Sequence, residues 1–251
     1  MAKRKQTSAI ILAGGSGSRF GASGGKQLVD IAGKPMLTWS IISFDEAKDV
    51  GEIIVVCPSD KRDEYKRVAI DTYESSTPIK LADAGTLRQE SAFNGLEAVG
   101  EEFDYVAIHD GARPHISAEI IDHAISELKG NYDLDGAVVG FPCIDTIKVV
   151  ENDNIISGTP DRSCLWMAYT PQIFKKEIYI EAQRSSLSDG FVGTDDSSLV
   201  ERLGGKILAV NGTRDNIKLT QPEDFTILES TVFSAVKQLE NQGKIFNLDL
   251  Q

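Results

Sequence analysis

The sequence predicts an α/β fold, a doubly wound and mostly parallel sheet from which a β-arm projects. Three observations lead there. Short apolar runs at 9–13, 53–57, 105–108 and 136–141 alternate with longer segments of helical spacing. Each run is apolar throughout, which is how strands covered on both faces read. After Phe141 the rhythm changes to two short runs around Glu151-Asn152-Asp153-Asn154, a turn sequence.

Taken in order, the run 9–13 makes the first strand and opens straight into glycines. A helix is predicted over 35–47, with Pro35 in its first turn, where a missing N–H loses no partner. The strand 53–57 follows and packs Cys57, then a helix over 60–73 and a weaker strand at 79–82. A helix at 87–99 leads to the strand 105–108, and Ser117 caps a helix at 118–129 before the strand 136–141. Strand–helix alternation of this kind implies a parallel sheet, and ligands of such sheets bind beyond the carboxyl ends of the strands. The loops after Ala13, Ala82 and Ile108 are therefore the expected site. The segments 145–150 and 155–157 form a hairpin arm, roughly 143–165. A lone two-stranded hairpin is marginal in water, so a homodimer built around the arm is predicted. Helices at 175–186 and 195–203, strands at 206–210 and 216–219, and a helix over 221–242 complete the chain. No repeat or linker divides it, and 1–251 reads as a single domain carrying the arm.

The formal charge of −12 argues against nucleic acid or an anionic membrane as partner, because the summed field repels them. It leaves room for a small anion held by a local group of cations. Three separated cysteines, Cys57, Cys143 and Cys164, suit free thiols in a reducing compartment. The apolar stretch after Lys3-Arg4-Lys5 is too short for a signal sequence, and no run reaches membrane-spanning length. A cytoplasmic protein is the expectation.

The segment 13–26 carries the chemistry. Ala13, Gly14, Gly15 and Gly17 bring backbone N–H groups close to a polyphosphate, and Arg19 and Lys26 add positive charge. A phosphate-binding P-loop would need Ser or Thr where Gln27 follows Lys26. The dinucleotide fingerprint would need glycine or alanine where Phe20 stands. Neither His-Arg-Asp nor Asp-Phe-Gly occurs, which excludes a kinase. A loop that holds and polarises a nucleoside triphosphate remains.

The pattern Leu-Ala-Gly-Gly-x-Gly-x-Arg, followed by Lys-Gln and Gly-Lys-Pro, resembles that of Rossmann-like sugar-phosphate nucleotidyltransferases. Further segments resemble the methylerythritol phosphate cytidylyltransferases of the non-mevalonate isoprenoid pathway. They are His109-Asp110-Gly111-Ala112-Arg113-Pro114, Thr170-Pro171-Gln172, Thr194-Asp195-Asp196 and the run 215–224 that begins Asp215-Asn216-Ile217-Lys218. The likeness runs from about Ser8 to Glu229 in the family's order and spacing. It implies an enzyme that joins a phosphorylated polyol to CTP with Mg²⁺ and releases pyrophosphate.

By this resemblance Arg19 and Lys26 stabilise the transition state, and Asp110 holds Mg²⁺ against the triphosphate. Lys218 and Arg162 position the attacking phosphate, and Arg113, Thr146 and Thr170 contact the rest of that substrate. Thr146 and Arg162 sit in and just beyond the arm, so they would reach the neighbouring subunit's site. Gly85, Arg88 and Ser91 stand where the family reads cytosine and ribose. Asp195 and Asp196 could bind a second metal or substrate hydroxyls, or cap the helix that follows. His109, His115 and His123 read as structural, Lys148 as a solvated strand residue, and Trp166 as packing near Arg162. Many family members carry proline where Gly25 stands and alanine where Gly111 stands. Two alternatives accompany this reading: a ribitol-5-phosphate cytidylyltransferase serving cell-wall polymers, and a catalytically silent nucleotide-binding regulator.

Overall fold

The computed structural model describes residues 4–15, 25–221 and 223–241. Strand β1 (Thr7–Leu12) is followed by a small antiparallel pair, β2 (Asp30–Ile31) and β3 (Lys34–Pro35). Helix α1 (Met36–Glu46), strand β4 (Val50–Cys57), a short helix α2 (Arg62–Tyr65) and strand β5 (Ile79–Asp83) come next. Then follow α3 (Arg88–Glu97), β6 (Tyr105–Asp110), α4 (Ala118–Gly130) and β7 (Gly136–Pro142). The arm carries β8 (Val149–Val150) and β9 (Ile156–Gly158), and β10 (Trp166–Lys175) returns the chain to the sheet. The last elements are α5 (Lys176–Asp189), α6 (Asp196–Arg202), β11 (Ile207–Asn211) and α7 (Glu223–Asn241).

The main sheet of the described residues runs β11-β7-β10-β6-β1-β4-β5. Its strands are parallel except β10, which lies antiparallel to both β6 and β7. β1 lies between β4 and β6, with Ile10 beside Ile54 and Ile108. Alternate residues of β1 then enter opposite layers. Ala9 and Ile11 pack with Leu37, Phe44 and Ile121 under α1 and α4, whereas Ile10 and Leu12 pack with Ala92, Leu96 and Tyr179 under α3 and α5. Burial on both faces is why these strands read as unbroken apolar runs, each large side chain contributing about 1.5–3 kcal/mol. A third cluster, Ile31, Met36, Trp39, Leu219, Leu228 and Val232, ties α7 and the segment before it to the start of α1. From β1 the chain builds outward to β4 and β5, then crosses to β6 on the other side. That reversal opens a crevice at the carboxyl ends.

The structure departs from the sequence expectations in four places. The helix predicted at 60–73 breaks into a 3₁₀ turn, α2 and a π-helical turn at Lys66–Ile70. The wider turn lets Tyr65, Ala69 and Ile70 all face the core, and the Thr38 hydroxyl donates to the Ala69 carbonyl. The strand predicted at 216–219 forms no ladder, because its backbone is tied instead by Leu219 N–H to the Ala112 carbonyl. Strand β10 has no signature in the sequence because Pro171 interrupts its pattern, and proline ordinarily argues against an interior strand. Its register against β7 shifts between Ala168 and Gln172, where the Thr170–Pro171 bond is cis. Pro35 stands one residue before the helix, at the cap.

The cap of α4 and the turn of the arm form as expected. The Ser117 side chain accepts from Ile120 N–H as the cap of α4. In the arm, Glu151 N–H donates to the Ile155 carbonyl, and Asp153 and Asn154 take positive φ values of 63° and 60°, which such turn residues tolerate. Ile155 and Ile156 are 64% and 59% exposed, so nothing among the described residues covers them. No helix of the described residues is long and apolar enough to cross a membrane, and all three cysteines are free thiols.

Asp45, near the end of α1, clamps the loop that leads to β5. Its carboxylate accepts from the Tyr73 hydroxyl at 2.7 Å, from Thr77 N–H at 2.7 Å and from Ser76. Burial opposes the charge, but these hydrogen bonds lower its pKa from 3.8 to about 2. A depressed carboxylate contributes stability above its unfolded pKa and loses it as pH falls through both values. The Asp45→Asn variant is expected to melt below wild type at pH 7, with the gap closing between about pH 4 and pH 2. A gap that is unchanged across that window in thermal unfolding would contradict the clamp.

Candidate active site

A cavity of about 380 Å³ lies at the carboxyl ends of β1, β5 and β6. Backbone from two loops forms one wall. A Cβ at Gly14 would sit 2.3 Å from the Cβ of Ala84, so only glycine lets these loops pass in contact. Ala13 N–H donates to the Val56 carbonyl, Ala84 N–H to that of Cys57, and the Tyr65 hydroxyl to that of Ala13. Beyond Ala84 a tight turn is held from within. Gly85 N–H donates to Ser91 Oγ, which donates to the Leu87 carbonyl, while Glu90 accepts from the N–H groups of Thr86 and Leu87. Gly14, Gly15, Gly85, Arg88 and Ser91 consequently line one cavity.

Asp110 ends β6 on the opposite wall and is 7% exposed. Arg88 Nε donates to its Oδ1 at 3.0 Å and Lys218 Nζ to its Oδ2 at 2.8 Å, with Arg113 Nε 3.7 Å from Oδ2. Burial opposes its charge, yet Arg88 and then Lys218 and Arg113 hold its carboxyl well below the usual range. Asp110 is therefore ionised at any working pH.

Behind it, Asp110 N–H donates to Thr170 Oγ1 at 3.0 Å, leaving the threonine proton for Nδ1 of His109 at 3.1 Å. His109 Nε2 then donates to the Arg113 carbonyl at 3.1 Å. Burial above all lowers the pKa of His109 to about 4, so the ring is neutral and braces the turn. Arg113 Nη1 donates to the Asn216 carbonyl at 2.6 Å, its guanidinium lies over the Tyr169 ring, and Asn216 Nδ2 donates to the Thr170 carbonyl at 2.9 Å.

Lys26 lines the same cavity from a 3₁₀ turn, with Nζ donating to the Leu219 carbonyl at 2.6 Å. Gly25 before it has φ of +100°, a conformation closed to proline, and the Tyr65 hydroxyl lies 2.8 Å from where its Cβ would stand. A proline at this position, which the resemblance leads one to expect, could not follow this backbone path. At Gly111 an alanine Cβ would lie 3.1 Å from the Leu12 carbonyl, so the turn beside Asp110 is already tight.

Of the residues the sequence singles out, Gly14, Gly15, Lys26, Gly85, Arg88, Ser91, Asp110 and Lys218 converge on this cavity. Ala13 lies just behind it, and Arg113 and Thr170 stand behind Asp110. Thr146 and Arg162 are exposed in the arm and do not line the cavity, with Arg162 Nη1 donating to the Ile144 carbonyl. Gly17 and Arg19 lie outside the described residues. Asp195 caps α6 by accepting from Ser198 N–H, while Asp196 is buried against Arg88 and Tyr179. Asn216, two residues before Lys218 in the same run, joins the site through its carbonyl to Arg113 and its amide to Thr170, and only its place in that run marks it in the sequence.

Among the described residues no group of three or more His, Cys, Asp or Glu side chains converges as a metal site. Among the described residues lining the cavity, Asp110 alone offers an ionised carboxylate. Mg²⁺ commonly takes one or two protein carboxylates and fills its other positions with phosphate oxygens and water. The donor set therefore fits Mg²⁺ that arrives with a triphosphate, and it does not fit a metal caged by protein alone.

Known proteins share this fold and much of this sequence. The crystal structure of 4-diphosphocytidyl-2C-methyl-D-erythritol synthase from Anaerococcus prevotii superposes with a TM-score of 0.80 at 29% identity, covering 91% of this chain and 96% of that one. A 2-C-methyl-D-erythritol 4-phosphate cytidylyltransferase from Caldanaerobacter subterraneus is 45% identical over 222 residues, 88% of this chain and 96% of the relative. One from Clostridioides difficile is 39% identical over 222 residues, 88% of this chain and 92% of the relative. Fold and site together define an α/β nucleotidyltransferase. The family model described as 2-C-methyl-D-erythritol 4-phosphate cytidylyltransferase matches residues 7–234, and the chain belongs to that family.

The Gly14→Ala variant tests the wall of the cavity. Its added methyl is expected to force the two loops apart, at about 1–3 kcal/mol of stability, and to lower kcat/KM for the nucleotide by roughly tenfold or more. Steady-state kinetics that match wild type would show that the close approach at Ala84 does not shape the site.

Proposed function

We propose that the chain joins the phosphate of 2-C-methyl-D-erythritol 4-phosphate to the α-phosphate of CTP, releasing pyrophosphate, in non-mevalonate isoprenoid precursor synthesis. The observation that carries this reading is Asp110, ionised beside Lys218 and Arg88 in a cavity whose other wall is glycine backbone. The attacking group is a phosphate oxygen whose second pKa is about 6, so no general base is required. A bond forms from that oxygen to the α-phosphorus, and the bridging bond to the β-phosphate breaks. The electron pair of that bond leaves with pyrophosphate. Catalysis then consists of alignment and charge stabilisation.

In this reading the N–H groups of Gly14 and Gly15 and the charges of Arg19 and Lys26 hold the phosphates. Asp110 would hold Mg²⁺, which when bound supplies further neutralisation of the triphosphate. Lys218 positions the attacking phosphate, while Arg113 and Thr170 contact the polyol. The turn from Gly85 to Ser91 reads the base and ribose, and its internal hydrogen bonds support a preformed slot. The exposed apolar side chains of the arm, with Ile144, Ile147, Val149 and Val150 beside Ile155 and Ile156, support burial against a second copy of the chain. Thr146 and Arg162 would then act in the partner's cavity. The free thiols support a reducing, cytoplasmic setting.

Purified protein with CTP, Mg²⁺ and methylerythritol phosphate is expected to release pyrophosphate, and EDTA to stop it. Ribitol phosphate turning over far faster would overturn the substrate assignment. Lys26→Ala should lower kcat by about 10²–10³-fold with the fold intact, so wild-type-like turnover would remove Lys26 from the mechanism. Light scattering coupled to size-exclusion chromatography should give the mass of a dimer, and a monomer would contradict the role given to the arm.

A further inference from the structure

The mechanism gives Asp196 no task, yet this acid at the start of α6 is 1% exposed. Each of its oxygens has one strong partner. Oδ1 accepts from the Tyr179 hydroxyl at 2.6 Å, and Oδ2 accepts from Arg88 Nη1 at 2.7 Å. The Tyr179 oxygen accepts in turn from Gln183 Nε2 at 2.7 Å, and its ring stacks on Phe174 with centroids 5.1 Å apart. Burial, and then the charge of Asp196, pushes the Tyr179 hydroxyl far above its ordinary range, so it stays a donor. At the other edge of the same guanidinium, Arg88 Nε donates to Asp110 Oδ1 at 3.0 Å. A connected line therefore runs from Gln183 and Tyr179 on α5, through Asp196 on α6 and Arg88 on α3, to the carboxylate in the cavity.

Capping does not explain Asp196, because Asp195 caps α6. Simple core filling does not explain it either, because its charged partner is a residue that lines the cavity. Arg88 reaches Asp110 through Nε, while Asp196 holds its Nη1. Oδ1 of Asp110 is thereby occupied, and Oδ2 is turned toward Lys218 and Arg113. Without Asp196 the guanidinium is free to slide onto both oxygens of Asp110 as a two-pronged pair, or to swing into the cavity.

We propose that Asp196 is a positioning residue for nucleotidyl transfer, acting through Arg88 to fix the orientation in which the Asp110 carboxylate faces the nucleotide. The inference rests on the reading of this cavity as the CTP site. It makes Tyr179 a support one step further out, since its hydrogen bond and stacked ring set the angle of Asp196.

A double-mutant cycle tests it, using Asp196→Asn, Arg88→Met and the pair together, with Tyr179→Phe alongside. Steady-state pyrophosphate release, CTP binding by calorimetry and thermal unfolding are measured for each. Asp196→Asn is expected to lower kcat/KM for CTP by roughly tenfold to a hundredfold, while KM for methylerythritol phosphate stays within about twofold. If Asp196 acts through Arg88, the double variant is no worse than Arg88→Met alone. Tyr179→Phe, which leaves the Asp196–Arg88 pair in place, should lose less than Asp196→Asn. Penalties that multiply in the double variant would overturn the proposal, as would Asp196→Asn kinetics that match wild type. Should Asp196→Asn fail to fold, the cycle of Tyr179→Phe with Arg88→Met is judged by the same non-additivity. A wild-type protein that releases no pyrophosphate from CTP would refute the functional reading itself. An active wild type with multiplicative penalties would refute only the positioning role.

Discussion

The structure around the site depends on keeping one buried carboxylate charged. Taking Asp110 out of water is costly by several kcal/mol unless cations meet it directly. Three do so, and they come from separate parts of the chain: Arg88 from the start of α3, Arg113 from the turn after β6, and Lys218 from the segment before α7. That single requirement brings residues 88, 110, 113 and 218 to one place. It also explains why the loop after β1, which carries the glycines, faces a wall already built from charge.

The arrangement is held by neutral groups placed behind the charged ones. His109, Thr170 and Asn216 connect β6, β10 and the Lys218 segment through hydrogen bonds at 2.9 to 3.1 Å. Strand β10 matters here because it carries Thr170 against Asp110 and its neighbour Tyr169 under Arg113. A parallel strand in that position would need a long crossover connection. The antiparallel return from the arm supplies the residue directly, so the arm and the site are parts of one chain path.

Much of this was legible in the sequence, and the reasons differ by element. β1, β4, β6 and β7 were clear because burial on both faces leaves only apolar residues, and the helices beside them showed ordinary spacing and, at Ser117, a cap. The loop cations Arg19 and Lys26 were legible as chemistry after a strand end, whereas the roles of Arg88, Asp110, Arg113 and Lys218 came through the family resemblance. β10 was hidden because Pro171 breaks the pattern that identifies a strand. The segment 216–219 looked like a strand because Ile217 and Leu219 alternate with polar residues, yet that alternation serves the third apolar cluster on one side and Asp110 on the other. Asp196 could be named but not placed, since its partners lie 17 and 108 residues away. Long-range pairing of polar side chains leaves no periodic trace.

The most direct test of the account is the Asp110→Asn variant, which keeps the shape of the side chain and removes its charge. Turnover with CTP and methylerythritol phosphate is expected to fall by about 10²–10³-fold or more per folded molecule, with circular dichroism confirming an unchanged fold. Pyrophosphate release close to the wild-type rate would contradict the claim that this carboxylate organises the site.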